Sequence, residues 1–479
     1  MKTFPGRFER LACVGLATWL LAGCAIIGAT APVPLPPSAP RTVAERPVDR
    51  DHARLVAAFG GELRAPAAQR LATEIAGRLV AASDRPDETY QVTILNSPVV
   101  NAFALPSRRL YLTRGLLALA NDTAELAAVI SHEIAHVTLR HAALRNELVA
   151  RSALISQVAQ DVLNNPSEAA VVREQSRFVL ASFSRSQELE ADQAGVKVLA
   201  RAGFDPFGAP RFLSSLGRLG GSNDRDHPAL GDMLSTHPST NDRVNLAMQA
   251  ARRVGAPGIG ENDRQRYFET IEDLAYGDDP ADGVVRGRWF LHGRLRVAFE
   301  APEGFALENT AQAVMGGTAD GTRRLLFDAT ETPSGQSLEE VLRSTWSDTI
   351  EPDSVETMTV NGLPAVVALS RGKDWTFRLA AVRIGGTTFR LILASRAGRD
   401  DVEALFRRTL PTVRALSAEE AASIRPLRLK VAIAAPGDTA ETMAARMASD
   451  RPLERFLLLN GLDRPGPLRP GERYKIVVE

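Results

Sequence analysis

The spacing of apolar residues changes several times along the chain, and each change marks a different predicted element. Residues 51–80 carry apolar positions at helical spacing, residues 90–95 alternate as a strand does, and residues 110–113 form a second extended stretch. Helical patterns fill most of the chain from there to residue 280. The pattern therefore predicts a mainly α-helical domain with a small β-sheet over residues 51–280.

A second pattern begins after Gly283, where short apolar runs are separated by turn residues. Such runs are typical of antiparallel strands, so residues 285–420 are predicted to form a separate α+β domain. The predicted strands include residues 295–299, 324–327, 365–369, 377–382 and 388–393. This domain shows no polar constellation with catalytic spacing. We expect it to position a substrate or a partner, and the sequence does not say which.

The pattern changes once more at residues 425–479. A strand leads into Pro436-Gly437-Asp438-Thr439, which opens a helix, and Asn460-Gly461 and Pro470-Gly471 mark turns before a last strand. This predicts a small βααβ module that resembles a LysM module. Modules of that kind commonly bind the glycan of peptidoglycan, and a degenerate module that only packs on its neighbour is the alternative.

The amino terminus has the pattern of an export signal. Lys2, Arg7 and Arg10 precede an apolar run at residues 11–22 that is too short to span a bilayer. The run ends in Leu21-Ala22-Gly23-Cys24, which resembles a bacterial lipobox. We therefore predict a signal peptide over residues 1–23 and lipidation of Cys24; an ordinary secretory signal with an incidental cysteine is the alternative.

The residues after Cys24 bear on localisation. Six prolines between residues 31 and 50 predict an extended tether, so residues 24–50 are assigned to a spacer. Ala25 is not the aspartate that favours retention in the inner membrane. We therefore predict a lipid-anchored protein of the bacterial envelope, on the outer membrane and facing the periplasm.

Composition argues against nucleic-acid binding and against any site or framework built from cysteines. Lys plus Arg and Asp plus Glu both number 57, so no net charge favours nucleic acid. The chain has two cysteines, Cys13 and Cys24, and both belong to the predicted signal and lipobox. A disulfide framework and a cysteine metal site are therefore excluded, and any metal ion must be held by His, Asp or Glu.

The strongest chemical signal is Ser131-His132-Glu133-Ile134-Ala135-His136, which contains the motif HExxH. Residues four apart lie on one face of a helix, so both imidazoles can converge on one ion while Glu133 projects beside them. Asp122 and Glu125 predict a capped start for this helix. Two solvated histidines on a helix surface are the alternative.

A catalytic zinc ion needs three protein ligands and one open position. Glu188 and Asp192 lie four apart on another predicted helix, so one carboxylate can reach the metal while the other orients a histidine ligand. A solvated acidic helix face is the alternative for this pair alone. In combination with HExxH, the pair predicts one zinc ion per chain.

These motifs carry a family resemblance. The segment Asn101 to Pro106, the HEIAH sequence, and ELEAD at residues 188–192 followed by Gly195 resemble the HtpX-like and CAAX-prenyl-protease-type zinc metallopeptidases over residues 51–250. The resemblance implies a zincin-type (gluzincin) fold. It implies that His132, His136 and Glu188 bind zinc, that Glu133 is the general base and acid, and that Asp192 orients a ligand.

The family also places an Asn before its edge strand and a His and an Arg, six apart, near the substrate backbone. Asn101, His237 and Arg243 match these positions. His237 or Arg243 could stabilise an oxyanion, and Asn101 could hold a substrate carbonyl. His237 could instead cap the zinc ion in a resting state, and a purely structural loop role is open for all three.

Substrate is expected to bind as an added β-strand on the extended segment that contains Leu110, Tyr111 and Leu112, because this mode reads the backbone and tolerates many sequences. One departure from the family is Ser107-Arg108-Arg109, where relatives often have glycines. That change leaves the shape of the substrate groove open.

Together these observations predict a multidomain zinc metalloendopeptidase that cleaves misfolded or misassembled envelope proteins. Its expected partners are unfolded protein substrates, the membrane through its lipid, and peptidoglycan through residues 425–479. A cell-wall-binding lipoprotein or chaperone with an idle protease fold is the competing hypothesis. The remaining histidines are predicted to be surface or structural residues, with His141 facing away from the site: His52, His141, His227 and His292.

Overall fold

Helices, strands and loops are assigned here from a computed structural model. It describes residues 47–143, 184–221, 233, 237, 241–309, 313–330, 336–346, 350–399 and 401–479. The predicted signal peptide, Cys24 and most of the tether lie outside these residues, as does His227. Residues 47–50 are helical, so the extended tether does not reach residue 50 as predicted. Residues Val48–Glu479 form one compact unit.

The helices, numbered in chain order, are α1 (Pro47–Ala58), α2 (Pro66–Ala81), α3 (Arg114–Leu119), α4 (Thr123–Thr138), α5 (Arg185–Arg201), α6 (Gly208–Gly221), α7 (Asn241–Val254), α8 (Arg264–Ile271), α9 (Leu338–Trp346), α10 (Val402–Thr409), α11 (Ala418–Ser423), α12 (Ala440–Ala444) and α13 (Pro452–Leu459).

The strands are β1 (Gln91–Leu95), β2 (Ala102–Ala104), β3 (Arg109–Thr113), β4 (Ala275–Tyr276), β5 (Val284–Arg286), β6 (Trp289–His292), β7 (Val297–Glu300), β8 (Phe305–Asn309), β9 (Ala313–Thr318), β10 (Arg323–Thr330), β11 (Glu356–Val360), β12 (Leu363–Arg371), β13 (Trp375–Ile384), β14 (Thr387–Arg396), β15 (Arg414–Ala415), β16 (Leu427–Ile433) and β17 (Arg473–Val478).

The helical run predicted for residues 51–80 is two helices, because a glycine pair separates α1 from α2. Gly60 and Gly61 both have positive φ, at 78° and 91°, which L side chains rarely adopt. A Cβ on Gly60 would also lie 2.9 Å from the carbonyl oxygen of Asn96. The turn therefore needs glycine for two separate reasons, conformation and close approach to the end of β1.

The small sheet of the first domain has the strand order β1, β3, β2. β1 runs parallel to β3, and β2 pairs with β3 in the antiparallel sense. One face of β3 and the helices α2 and α4 share a single apolar core that includes Leu79, Leu112 and Ile130. This packing fixes α4 against the sheet, so the position of the HExxH residues follows from the core.

The middle of the chain forms the antiparallel β-structure that the sequence predicted. Its larger sheet has the strand order β11, β12, β13, β14, β10, β9, β8, and a second sheet has the order β15, β7, β6, β5. In the core between the two sheets, the ring of Phe327 stacks on that of Phe389 and packs at a tilt against that of Phe299. α9 covers a smaller apolar cluster on the other face of the larger sheet.

The carboxyl-terminal residues have the predicted order of strand, two helices and strand. β16 and β17 pair in the antiparallel sense, and β16 also pairs with β4, which follows the last helix of the first domain. Met443, Phe456 and Val477 belong to the same apolar core as Leu126 of α4. This segment therefore packs as part of the first domain's core.

A lysine from β17 enters that shared core. The Lys475 side chain is fully buried, and its Nζ donates to the carbonyl oxygens of Ala118, Leu119 and Ala120 at 2.6, 3.2 and 2.8 Å. These carbonyls lie at the end of α3, where a helix has no partner of its own for its last C=O groups. The carboxyl-terminal strand therefore caps the helix that precedes α4.

Within the residues that the structure describes, no helix combines the length and the apolar character needed to cross a bilayer.

Candidate metal centre

α4 presents the HExxH residues inside the protein, because it is buried from its start through His136. The carboxylate of Asp122 caps its first turn and accepts a hydrogen bond from the backbone N–H of Glu125 at 2.8 Å, as the sequence predicted. His132 and His136 then lie one turn apart on the same face. The two imidazoles therefore point together at the neighbouring helix.

That neighbour is α5, which begins with a capping box. The Ser184 hydroxyl accepts from the backbone of Gln187, and the Gln187 side chain accepts from the backbone of Ser184. Gly195 lies where α5 crosses α4, and a Cβ there would be 3.2 Å from the backbone nitrogen of His132 and 3.2 Å from the hydroxyl oxygen of Ser131. The missing side chain lets α5 come close enough for its acids to reach the histidines.

The three predicted ligands meet, as expected. His132 Nε2 lies 3.0 Å from His136 Nε2 and 3.5 Å from Glu188 Oε2, and His136 Nε2 lies 3.4 Å from Glu188 Oε1. Ligand atoms about 2.0–2.1 Å from a tetrahedral zinc ion stand roughly 3.4 Å from one another. The spacing of these nitrogens and oxygens is therefore that of a zinc site.

His237 supplies a fourth donor to the same cluster. Its Nδ1 lies 3.3 Å from His132 Nε2 and 2.9 Å from Glu188 Oε1, and the four donor atoms all lie within 4.8 Å of one another. The backbone N–H of His237 donates to the carbonyl oxygen of Met233. His237 thus adds a fourth possible ligand to the three predicted ones, whereas a catalytic zinc site keeps its fourth position for water.

Asp192 and Arg243 hold the ligands in place. Asp192 Oδ1 lies 3.0 Å from His132 Nδ1, which leaves Nε2 of that ring for the metal. Arg243 donates from Nε and Nη2 to Asp192, both at 2.8 Å, and its Nη1 lies 2.7 Å from Glu188 Oε2. These contacts favour an orienting role for Arg243 over the predicted contact with a substrate oxyanion.

The prediction that His141 faces away from the site is wrong. α4 ends at Thr138, and Arg140 then adopts a left-handed conformation with φ 59°, which turns the chain back. His141 is 1% exposed, and its Nδ1 lies 2.9 Å from Nδ1 of His136. The expectation assumed that the helix continued through residue 141, and no sequence signal marks the left-handed residue because it is not a glycine.

Glu133 is buried beside the cluster. Its Oε1 has no hydrogen-bond partner among the described residues and lies 3.7 Å from His237 Nε2. Burial raises the pKa of Glu133, and the charges of His237 and His132 oppose that rise. A buried carboxylate oxygen next to the donor cluster is suited to accept a proton from a water molecule.

The charge of the cluster calls for a cation. Burial disfavours ionisation of Glu188 and Asp192, yet their partners outweigh it and lower the pKa of both. Burial lowers the pKa of His136 to about 3, so that ring is neutral. Burial disfavours a charged His132, yet hydrogen bonds to Asp192 and Glu188 outweigh it and raise the pKa of His132 to about 10. The carboxylates therefore favour a positive charge at this point, which a bound metal cation would supply in place of the ring proton. Donor type, spacing and charge therefore all fit zinc.

The structure corrects the predicted substrate strand. Leu110, Tyr111 and Leu112 lie on β3, which is the central strand and pairs with β1 on one side and β2 on the other. All three residues are fully buried. They cannot accept an added strand, because their backbone groups are already paired. The edge of this sheet nearest α4 is β2, where the backbone of Ala104 donates to Glu133.

A groove of about 410 Å³ runs beside the donor cluster, with Ala104 and Pro106 on one side and His136 and Val137 on the other. Arg108 lies at its rim with φ 61°, and its guanidinium donates to Glu88 at 2.9 Å. The arginine thus adopts the left-handed conformation that glycine favours in this turn. Its side chain lines the groove.

Asn101 is buried where β2 begins. Its backbone N–H donates to the Thr113 hydroxyl at 3.0 Å, and its carbonyl oxygen accepts from the Thr113 backbone at 3.1 Å. These contacts fix the start of the edge strand. Contact between the Asn101 side chain and a substrate carbonyl stays a prediction.

Two helices that contribute HExxH and ExxxD to one buried donor cluster define a metallopeptidase type of site. Residues 66–251 match the family model described as Peptidase family M48. This match confirms the predicted zinc metallopeptidase character of this part of the chain, while the predicted domain bounds stay a prediction. The narrower resemblance to HtpX-like proteins stays a prediction.

Relatives of this domain carry names of the same class. Mitochondrial metalloendopeptidase OMA1 of Arabidopsis thaliana is 39% identical over 167 residues, which are 34% of this chain and 32% of that protein. The beta-barrel assembly-enhancing protease of Escherichia coli (strain K12) is 30% identical over 260 residues, or 50% of this chain and 52% of that protein. The chain thus spans about half, or less, of the length of these relatives.

Proposed function

We propose that the chain is a zinc-dependent metalloendopeptidase of the bacterial cell envelope that cleaves misfolded or misassembled envelope proteins. The observation that carries this proposal is the buried cluster of His132, His136, Glu188 and His237. The family match and the names of the relatives support the peptidase activity.

In this proposal His132, His136 and Glu188 hold one zinc ion. When bound, zinc supplies Lewis acidity, which polarises the scissile carbonyl and lowers the pKa of water. Glu133 takes the proton from the attacking water, since its buried carboxylate lies beside the cluster and one of its oxygens has no hydrogen-bond partner among the described residues. The same carboxyl group then passes the proton to the leaving amine.

We further propose that His237 caps the metal in a resting state. Its Nδ1 faces the cluster at distances that suit a fourth ligand, which leaves no place for water. Activity then requires the His237 imidazole to withdraw from the cluster. A role for the withdrawn imidazole in stabilising the oxyanion is compatible with this movement.

Substrate is proposed to add as a strand to β2, in place of the predicted pairing with β3. β2 lies at the edge of the described sheet, and it borders the groove beside His136. Backbone pairing would bind extended chains of many sequences. This selects unfolded segments over folded domains, which fits a role in quality control.

The substrate class and the location rest on the relatives and on the amino-terminal pattern. The Escherichia coli relative is named a beta-barrel assembly-enhancing protease, and such a name describes work on envelope proteins. Lipidation at Cys24 and an outer-membrane site facing the periplasm stay proposals that follow from the lipobox-like sequence. Labelling of the full-length protein with a clickable fatty acid, with Cys24→Ser as control, tests the anchor.

Peptidoglycan binding by residues 425–479 also stays a proposal. The βααβ order supports it, while the burial of Phe456 and Val477 against the first domain supports a purely packing role. Because the segment shares this core, the test uses the full chain. Failure of insoluble peptidoglycan to retain the full chain would remove this part of the proposal.

The central test is the variant Glu133→Gln, assayed on an unfolded protein such as casein. General acid–base catalysis contributes about 10²–10⁴-fold, so we expect a loss of that size with zinc content unchanged. Glu74→Gln is the matched control, since Glu74 pairs with Arg266 on the surface. Casein cleavage by Glu133→Gln at the wild-type rate would overturn the mechanism.

The substrate class is tested separately. Glu133→Gln expressed in cells should retain its substrates without cleaving them, and mass spectrometry of the captured proteins identifies their class. Enrichment of unassembled envelope proteins is expected. Capture of folded, assembled proteins alone would refute the quality-control role and leave the peptidase activity untouched.

A further inference from the structure

The second zinc-binding histidine of α4 has a neighbour that the sequence did not predict. His136 points its Nε2 at the donor cluster, so its other nitrogen, Nδ1, must carry the ring proton when the ring binds a metal. His141 Nδ1 lies 2.9 Å from that nitrogen, and both residues are buried. His141 Nδ1 is therefore the acceptor of the hydrogen bond that His136 Nδ1–H donates.

His141 in turn has an acid behind it. A neutral imidazole that accepts at Nδ1 carries its own proton on Nε2. That nitrogen lies 3.4 Å from Oε2 of Glu190, whose side chain is 64% exposed. The contacts run from the metal-facing ring of His136, through His141, to the carboxylate of Glu190.

The backbone of His141 is held by the same helix. The side chain of Gln187 reaches the His141 carbonyl oxygen at 3.5 Å, and Gln187 is also the capping-box residue of α5. The left-handed turn at Arg140 places His141 over His136, and the first turn of α5 supports it there. The position of His141 is thus set by α5, which also carries the ligand Glu188.

We propose that His141 is a positioning residue for the metal ligand His136, and that Glu190 orients His141. α5 would then orient both histidine ligands: Asp192 contacts His132 directly, and Glu190 acts on His136 through His141. Partners of this kind fix the tautomer and the direction of a ligand ring, and their loss typically weakens metal affinity 10–100-fold.

The test measures zinc affinity of the full chain by competition with a chromophoric chelator, with no substrate present. His141→Leu removes the acceptor, and we expect a 10–100-fold weaker affinity. His141→Asn keeps an acceptor of similar reach and should recover most of the affinity. His292→Asn alters a buried histidine of the middle domain and should leave zinc affinity unchanged.

A second variant separates positioning from folding. Glu190→Ala alters a mostly exposed side chain, so the protein should fold, and we expect its zinc affinity to fall by a smaller factor than in His141→Leu. The visible spectrum of the cobalt-substituted protein should shift in both variants, since the direction of a ligand ring changes. A protein that is merely loosened would lose thermal stability without rescue of zinc affinity in His141→Asn.

This inference rests on the metal site of the proposed function, and the two can fail separately. If wild type binds no zinc, the proposed function fails. If wild type binds zinc, and folded His141→Leu and Glu190→Ala bind it within twofold of wild type, only the positioning role of His141 is overturned.

Discussion

Replacing Lys475 by methionine tests how far the carboxyl-terminal segment belongs to the first domain. Its amino group is fully buried and donates to carbonyl oxygens of three consecutive residues at the end of α3, and burial lowers its pKa well below the ordinary lysine value. Methionine has similar length and flexibility, so the cavity stays filled. The substitution therefore removes the donors and little else.

The cost can be worked from these contacts. Each buried carbonyl left without a donor costs about 1–3 kcal/mol, so the gross loss for three of them is roughly 3–9 kcal/mol. Relief from burying the amino group offsets about 1–3 kcal/mol of that loss. The carbonyl oxygens carry no net charge, so no buried ion is left uncompensated, and we expect a net destabilisation of roughly 2–6 kcal/mol for Lys475→Met.

Urea unfolding of the full chain, followed by circular dichroism, measures the difference. Lys430→Met on the adjacent strand β16 is the matched control, because Lys430 makes surface ion pairs with Asp273 and Glu272. Exposed pairs contribute about 0–1 kcal/mol, so this control should unfold close to wild type. Equal midpoints for Lys475→Met and Lys430→Met would refute the proposed capping of α3.

Three further predictions concern the site and the middle domain. His237→Ala should raise the rate of casein cleavage, because it removes the proposed cap; a fall of about 100-fold would instead assign His237 to the oxyanion. Gly195→Val should weaken zinc binding and lower the free energy of unfolding by about 1–3 kcal/mol, since its Cβ would lie 3.2 Å from the backbone of α4. Gly77→Val, on the open face of α2, is the control. Equal zinc affinity of the two variants would contradict the close-packing argument. Burial lowers the pKa of His292 to about 4, so between about pH 6.5 and 4 the unfolded chain binds more protons than the folded one, and stability falls as the pH falls through that window. His292→Asn should flatten this pH dependence of stability in urea titrations. An unchanged slope would exclude His292 as its source.

The elements of the protease domain were predictable where a short pattern sets them. The cap at Asp122 and the four-residue spacing of His132 and His136 define α4 locally, so its start and its metal-binding face follow from the sequence. The strand order did not follow. β1 and β3 both show strand patterns, but β2 has only three residues. β3 lies between β1 and β2 in the sheet, so both of its edges are paired and substrate cannot pair with it as predicted.

Contacts between segments that are distant along the chain could not be predicted from the sequence either. Lys475 and Ala118 lie 357 residues apart along the chain, and a lone lysine in a strand pattern predicts an exposed side chain. Capping of a helix end by such a residue depends on how β17 packs against α3. The module predicted from residues 425–479 therefore looked independent, although its apolar residues join the core around Leu126.

The candidate site shows the same division between local and long-range information. The HExxH and ExxxD spacings predict which side chains bind the metal, because each motif lies within one helix. The orientation of those side chains depends on contacts between helices. The left-handed conformation of Arg140 turns His141 inward, where its ring contacts that of His136. Arg140→Gly supplies a direct check, since glycine adopts this conformation without strain: zinc affinity should be kept and stability should rise by about 1 kcal/mol or less. A loss of zinc affinity in Arg140→Gly would show that the arginine side chain, and not the turn, holds His141 in place.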